Sequence, residues 1–159
     1  KDFGHLFQDD DEWRAPAMWV ADLTKDVSEI VAELGLPEGA AAGDDARVAY
    51  HAPCTLLHGQ KIDTIPERLL EKAGFEVMPM KEKHFCCGSA GIYILVLPEI
   101  ADSLRERRQQ TIRDMPVAFV ATGNIGCQRQ LQSGLDTPVV HMIELLDWAL
   151  GGLEPPLLK

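Results

Sequence analysis

Four cysteines, Cys54, Cys86, Cys87 and Cys127, are the residues of this 159-residue chain whose type and placement could do chemistry together. Cys86 and Cys87 are adjacent, and Gly88 follows them. A disulfide between neighbours needs a strained ring, so two independent thiolates are expected there. Four thiolates repel one another, and a cation must compensate them. Thiolate sets suit zinc or an iron–sulfur cluster. No Cys-x-x-Cys pair occurs, so the spacing is not that of a zinc ribbon. Four cysteines are also too few for a disulfide scaffold in a chain of this length. A Cys86 or Cys87 nucleophile with His84 as its base is the other chemistry available. It lacks an orienting third group and leaves the remaining thiols without a role.

The elements that must position these thiols alternate strand and helix from residue 47 onwards. A strand over 47–51 ends at Pro53. A helix from Pro66 to Ala73 stops at Gly74. A strand over 75–78 follows, then a helix from Pro98 to about Met115 with Ile100, Leu104 and Ile112 on one face. The run 117–122 is apolar almost throughout, as in parallel strands covered on both faces. A short helix after Asn124, a strand over 139–141 and a helix over 143–150 complete the series. This order predicts an α/β fold, an open and mostly parallel sheet with helices on both faces. Ligands in such sheets sit beyond the carboxyl ends of the strands. Three strand ends would deliver all four thiols there, in loops at the carboxyl edge.

Ahead of that series, Val27, Ile30, Val31 and Leu34 have helical spacing, with Thr24 or Asp26 as the cap and Gly35 as the stop. The stretch to Arg14 reads as polar and partly irregular, and 37–45 as a loop. The expected division is an acidic helical and loop segment over 1–45, a cysteine-rich α/β domain over 46–152 and a tail over 153–159. Residues 1–45 carry 12 acids and 3 bases, against 13 acids and 12 bases in the remainder, for a formal net charge of -10. A chain this acidic is a poor ligand for nucleic acid. The acidic segment reads as a solvated face or as a docking surface for a basic partner. No uncharged stretch approaches the ~20 residues of a membrane span. With no secretory signal and no initiator Met, the chain reads as a fragment or processed product of a cytoplasmic protein.

Among the histidines, His51, His58 and His84 lie near cysteines in sequence and are expected as hydrogen-bonding groups around the site rather than ligands. His141 reads as structural and His5 as uninvolved. Gly88 would let the backbone approach a bulky ligand closely. Arg105, Arg107, Arg108 and Arg113 share a helix with Asp102 and Glu106 and read as a solvated face. Trp13, Trp19 and Trp148 read as packing groups.

Tyr50-His51-Ala52-Pro53-Cys54, Phe85-Cys86-Cys87-Gly88-Ser89-Ala90-Gly91 and Thr122-Gly123-Asn124-Ile125-Gly126-Cys127 together resemble the cysteine-rich CCG domain. That domain occurs in heterodisulfide reductase catalytic subunits, lactate-utilisation proteins and glycolate oxidase iron–sulfur subunits. Here 31 residues separate Cys54 from Cys86 and 36 separate Cys87 from position 124, which fits the family's order of Cys, Cys-Cys-Gly and a final Cys-x-x-Cys. Position 124 is Asn where the fullest pattern has Cys, and Thr55 stands where many members have His. His58-Gly59-Gln60-Lys61 and Ala121-Thr122-Gly123-Asn124 are most similar to the glycolate oxidase branch. The likeness covers about residues 47–150.

The resemblance implies an iron–sulfur centre on Cys54, Cys86, Cys87 and Cys127, with His51, His58, His84, Gly88 and Asn124 around it. A single 4Fe-4S cluster, a zinc ion or an empty site all remain open for four cysteines. It further implies flavin-containing oxidase subunits and the rest of the chain's own iron–sulfur subunit as partners. Electrons from a 2-hydroxy acid such as glycolate would run towards a quinone-type acceptor, in the cytoplasm or peripherally at the inner membrane through the complex.

Overall fold

The computed structural model describes residues 1–41 and 46–158, so the end of the loop expected over 37–45 lies outside the described residues. Contacts divide the chain into two units, residues 1–35 and 36–159. The first holds three helices: α1 (Phe3–Leu6), α2 (Arg14–Leu23) and α3 (Val27–Leu34), with α1 packed on α2. The polar start of the chain is therefore helical over α1. Asp26 caps α3: its carboxylate accepts from the Ser28 N–H, and Glu29 reaches back to the Asp26 N–H in a capping box. Gly35, at φ +77°, ends the helix.

The second unit is built on four parallel strands: β1 (Arg47–His51), β2 (Glu76–Met78), β3 (Phe119–Thr122) and β4 (Val139–His141). Their order is β2-β1-β3-β4, with His51 paired to Thr122 and Thr122 to His141 across the carboxyl edge. Parallel pairing needs crossover connections. They are α4 (Ile65–Lys72), α5 (Tyr93–Val96) with α6 (Pro98–Arg113), and α7 (Ile125–Gln132); α8 (Met142–Ala149) follows β4. Helix α4 packs with α8, and α6 with α7, giving one helical layer on each side of the sheet. The two-residue strand period assigns side chains to these layers. Ala49, Val120 and Val139 join Ile112, Leu131, Leu135, Cys87 and Cys127 in one core cluster. Val48, Tyr50 and Phe119 point the other way, where Phe75 meets Phe119 edge-on at 5.9 Å and Trp148 at 6.4 Å.

Helix α6 differs from its expected orientation. It buries Ala101, Arg108, Gln109 and Ile112, while Ile100 is 48% exposed. Two polar side chains turn it: the Gln109 amide donates to the Leu131 carbonyl at 2.8 Å, and the Arg108 guanidinium reaches a loop behind the sheet edge. Their bonded burial outweighs the Ile100 contact.

Candidate metal centre

The strand order reverses direction at β1, which pairs with β2 on one side and β3 on the other. Crevices form at such a switch point, beyond the carboxyl ends of the strands, and all four thiols meet there. Pro53 ends the run of β1, and Cys54 opens a π-helical turn, Thr55–Gly59. The loop after β2 carries Cys86 and Cys87. Cys127 lies not in a loop but in the first turn of α7. Asn124 caps that helix, its Oδ1 accepting from the Cys127 N–H at 3.1 Å. All four cysteines line one cavity of ≈ 100 Å³ together with Pro53, Thr55, Ser89, Ala90 and Asn124. Pockets for organic cofactors or drug-sized ligands run from roughly 300 to 1,000 Å³, so this one has room for an inorganic group only.

The thiols stand in series, each within hydrogen-bonding reach of the next, from Cys54 to Cys86 to Cys87 to Cys127. None is in a disulfide. Cys54 is pushed up to about 11, first by burial and then by Cys86. Cys86 is raised further, by its bond to Cys87 and by burial. Cys87 rises to about 12, chiefly through Cys127 and burial. Backbone donors work against this: the Gly88 N–H donates to the Cys86 sulfur at 3.3 Å. Left to themselves Cys54, Cys86 and Cys87 are neutral thiols at physiological pH. Only a bound cation makes four thiolates stable together, and the donor set therefore fits a thiophilic metal or an iron–sulfur cluster.

That chemistry sets a pH dependence. Raised folded pKa values keep Cys54 and Cys87 protonated until about pH 11 to 12, so their neutral-form contribution to stability is present below the ordinary thiol range and is lost above it. In metal-free protein, iodoacetamide should modify Cys54 at pH 8 on the order of a hundredfold more slowly than an ordinary cysteine, whose pKa is about 8.5. Metal binding must displace these protons, so apparent affinity should climb from pH 6 to pH 9. Mass-resolved alkylation over that range checks the first expectation, and ordinary thiol rates at pH 7 would refute it.

The loop bearing the adjacent cysteines is gripped from α6. Arg108 is fully buried; it donates to the carbonyls of Lys81 at 2.9 Å, Glu82 at 2.5 Å and Phe85 at 2.6 Å. Arg107 pairs with the Glu82 carboxylate, holding it below its usual pKa, and lies 4.1 Å over the Phe85 ring. Arg105, Arg107 and Arg113, paired with Asp102, Glu82 and Glu106, keep to the solvated side expected of them, and Arg108 alone of the four departs from it. The missed signal was spacing. Position 108 is four residues before Ile112 and seven after Ala101, on the buried stripe.

The other expected residues separate into two groups. His51, the last residue of β1, is fully buried, and one of its ring nitrogens lies within 4.8 Å of the Cys87 and Cys127 sulfurs. His58 and His84 are exposed, the His58 Nε2–H donating to the His84 carbonyl at 3.3 Å, which ties the π-helical turn to the cysteine loop. His141 caps α8, its Nδ1 accepting from the Ile143 N–H. Gly88, at φ +88°, packs against helix backbone rather than giving room to a ligand. A Cβ there would collide with the Ala101 carbonyl oxygen.

The family described as the cysteine-rich domain, CCG, matches residues 48–132. The chain is 36% identical to the glycolate oxidase iron-sulfur subunit of Escherichia coli, over 94% of its own length and 37% of that protein's. It is 24% identical to lactate utilization protein A of Oceanobacillus iheyensis, over 92% of its length and 63% of that protein's. It is 37% identical to a fumarate reductase (CoM/CoB) subunit of Methanothermobacter marburgensis, over 65% of its length and 22% of that protein's. The chain thus spans less than two thirds of each of these relatives.

Proposed function

Because the chain belongs to the cysteine-rich CCG domain family, we propose that it is an iron–sulfur electron-transfer module of a 2-hydroxy-acid oxidase of the glycolate or lactate type. The observation that carries this is the convergence of four buried or half-buried thiols on a cavity of ≈ 100 Å³, too small for any organic cofactor. Cys54, Cys86, Cys87 and Cys127 would hold a 4Fe-4S cluster, which when bound takes up and releases single electrons. The protein's own groups do the rest. The Gly88 N–H bonds a ligand sulfur, Asn124 orients Cys127, and the Arg108 cation faces the negative site. Flavin-bearing partner subunits would oxidise the hydroxy acid, and a quinone-type acceptor would take the electrons, in the cytoplasm or at the inner membrane through the complex. No described helix is long and apolar enough to cross a membrane.

The sequence just after the cysteine loop supports a docking role. Ile92, Leu95, Val96 and Leu97 are all exposed, with Leu95 79% accessible. Apolar residues exposed together mark interaction surfaces, and this strip abuts the loop that carries the electron-transferring thiols. Leu95→Asp should abolish electron delivery in the reconstituted complex while leaving the absorbance of the centre unchanged. Unchanged transfer would remove the strip from the interface.

Protein purified without oxygen should contain roughly four irons with matching acid-labile sulfide, and Cys87→Ser or Cys127→Ser should bleach it. The chain alone should not oxidise glycolate. A second reading rests on a specific feature: His51, Cys87 and Cys127 are grouped tightly enough for a single ion. One zinc and no sulfide would favour that reading, a structural module fixing the flavin subunits.

A further inference from the structure

We propose that His51 is a nitrogen ligand of this centre, bound beside Cys87 and Cys127, so that the site is of mixed imidazole and thiolate character. The inference deepens the metal-centre reading and rests on it. Strand geometry supplies the first argument. Ala49 and His51 share a face of β1 by the two-residue period, and Ala49 packs in the cluster that contains Cys87 and Cys127. His51 is the next residue along that face, at the carboxyl edge where the thiols meet.

The second argument is hydrogen bonding. His51 is fully buried, and neither Nδ1 nor Nε2 has a partner among the described residues. Buried polar groups are nearly always bonded, and leaving one unbonded destabilises a protein by about 1 to 3 kcal/mol. His58 and His141, by contrast, each have a backbone partner. A metal at the ring supplies the partner that the protein does not.

Distance is the third argument. The ring nitrogen and the two sulfurs all lie within 4.8 Å of one another. For the single-ion form of the centre, a tetrahedral ion bonded at about 2.1 Å to nitrogen and about 2.3 Å to sulfur sets neighbouring ligand atoms about 3.7 Å apart. Small side-chain rotations close that difference.

The test is pulsed EPR on the whole chain carrying ¹⁵N-histidine, as the reduced iron–sulfur form and, separately, with Co(II) added to metal-free protein. A strongly coupled histidine nitrogen is expected in the wild type and should vanish in His51→Leu. That variant should bind Co(II) roughly tenfold or more weakly, while its metal-free form melts no lower than wild type because the unbonded nitrogens are gone. Absence of the nitrogen coupling in wild type overturns the proposal and needs no variant. So does a His51→Leu that binds Co(II) normally. If that variant fails to fold, His51→Gln takes its place, with the same losses expected and normal Co(II) binding again decisive against ligation. Absence of iron and sulfide overturns the cluster reading alone, since the coupling is then read on cobalt. A chain that binds neither metal overturns both.

Discussion

Arg108→Met should lower the stability of the metal-free protein by about 3 to 5 kcal/mol, because three part-buried carbonyls lose a charged donor whose bonds contribute about 1.5 to 3 kcal/mol each. Methionine matches the stem of arginine but donates nothing. The carbonyls of Lys81, Glu82 and Phe85 would lose the fork that now satisfies them inside the protein. Those carbonyls belong to the segment that delivers Cys86 and Cys87, so loading of the centre should fall with stability. Charge adds a second effect. The guanidinium interacts electrostatically with Cys87, Cys54 and Cys86, and it stays charged although burial lowers its pKa. A nearby cation favours the more negative, reduced form of a thiolate-held centre. Removing it should shift the reduction potential of whatever centre remains to more negative values. Arg108→Lys separates the two effects: it keeps the charge but cannot span three carbonyls, so the potential should return most of the way while the melting temperature does not. Thermal melts and redox titration of the loaded protein measure both. An Arg108→Met protein that melts and titrates like wild type would show that the grip on the loop is incidental.

The sheet was legible because its strands are short apolar runs bounded by Pro and Gly, and because parallel strands alternate with amphipathic helices. The placement of the thiols at the carboxyl edge followed from that order alone. What the sequence did not reveal are the places where a polar side chain overrides the apolar pattern. Ile100, Leu104 and Ile112 mark one stripe of α6, yet the helix turns so that Arg108 and Gln109 bond inward. A guanidinium on a charged helix looks solvated until three carbonyls of a distant loop are placed beside it, and a loop carries no periodicity to announce them. The histidines are separated in the same way. Sequence proximity to cysteine treated His51, His58 and His84 alike, whereas strand alternation buries His51 and leaves the other two exposed. Asn124 is the opposite case. Its position before a short helix is a capping position on local grounds, and it caps the helix that carries Cys127.

Gly88→Ala should be the most damaging single-carbon change in the chain. The residue sits at φ +88°, where an L side chain is strained by about 1 to 2 kcal/mol. Space is the larger matter. A Cβ would run into the carbonyl oxygen of Ala101 and press on the Gln130 amide at 3.3 Å. Gln130 can swing away, but Ala101 is fully buried helix backbone and cannot. The loop must therefore move, and it carries Cys87 into the core and Cys86 against the cavity. Overpacking of this kind adds about 1 to 3 kcal/mol to the strain, so the melting temperature should fall by on the order of 10 °C. Loading with metal should fall more steeply than stability, because displacement of two adjacent donors breaks the geometry of the whole set. Gly91→Ala is the control. Gly91 also has a positive φ, +56°, but nothing lies within 4 Å of its Cβ position. It should show the strain without the collision: a loss near about 1 kcal/mol and normal loading. Equal stability and equal metal content in the two variants would mean that conformational freedom alone, not the close approach to α6, explains the glycine after the paired cysteines.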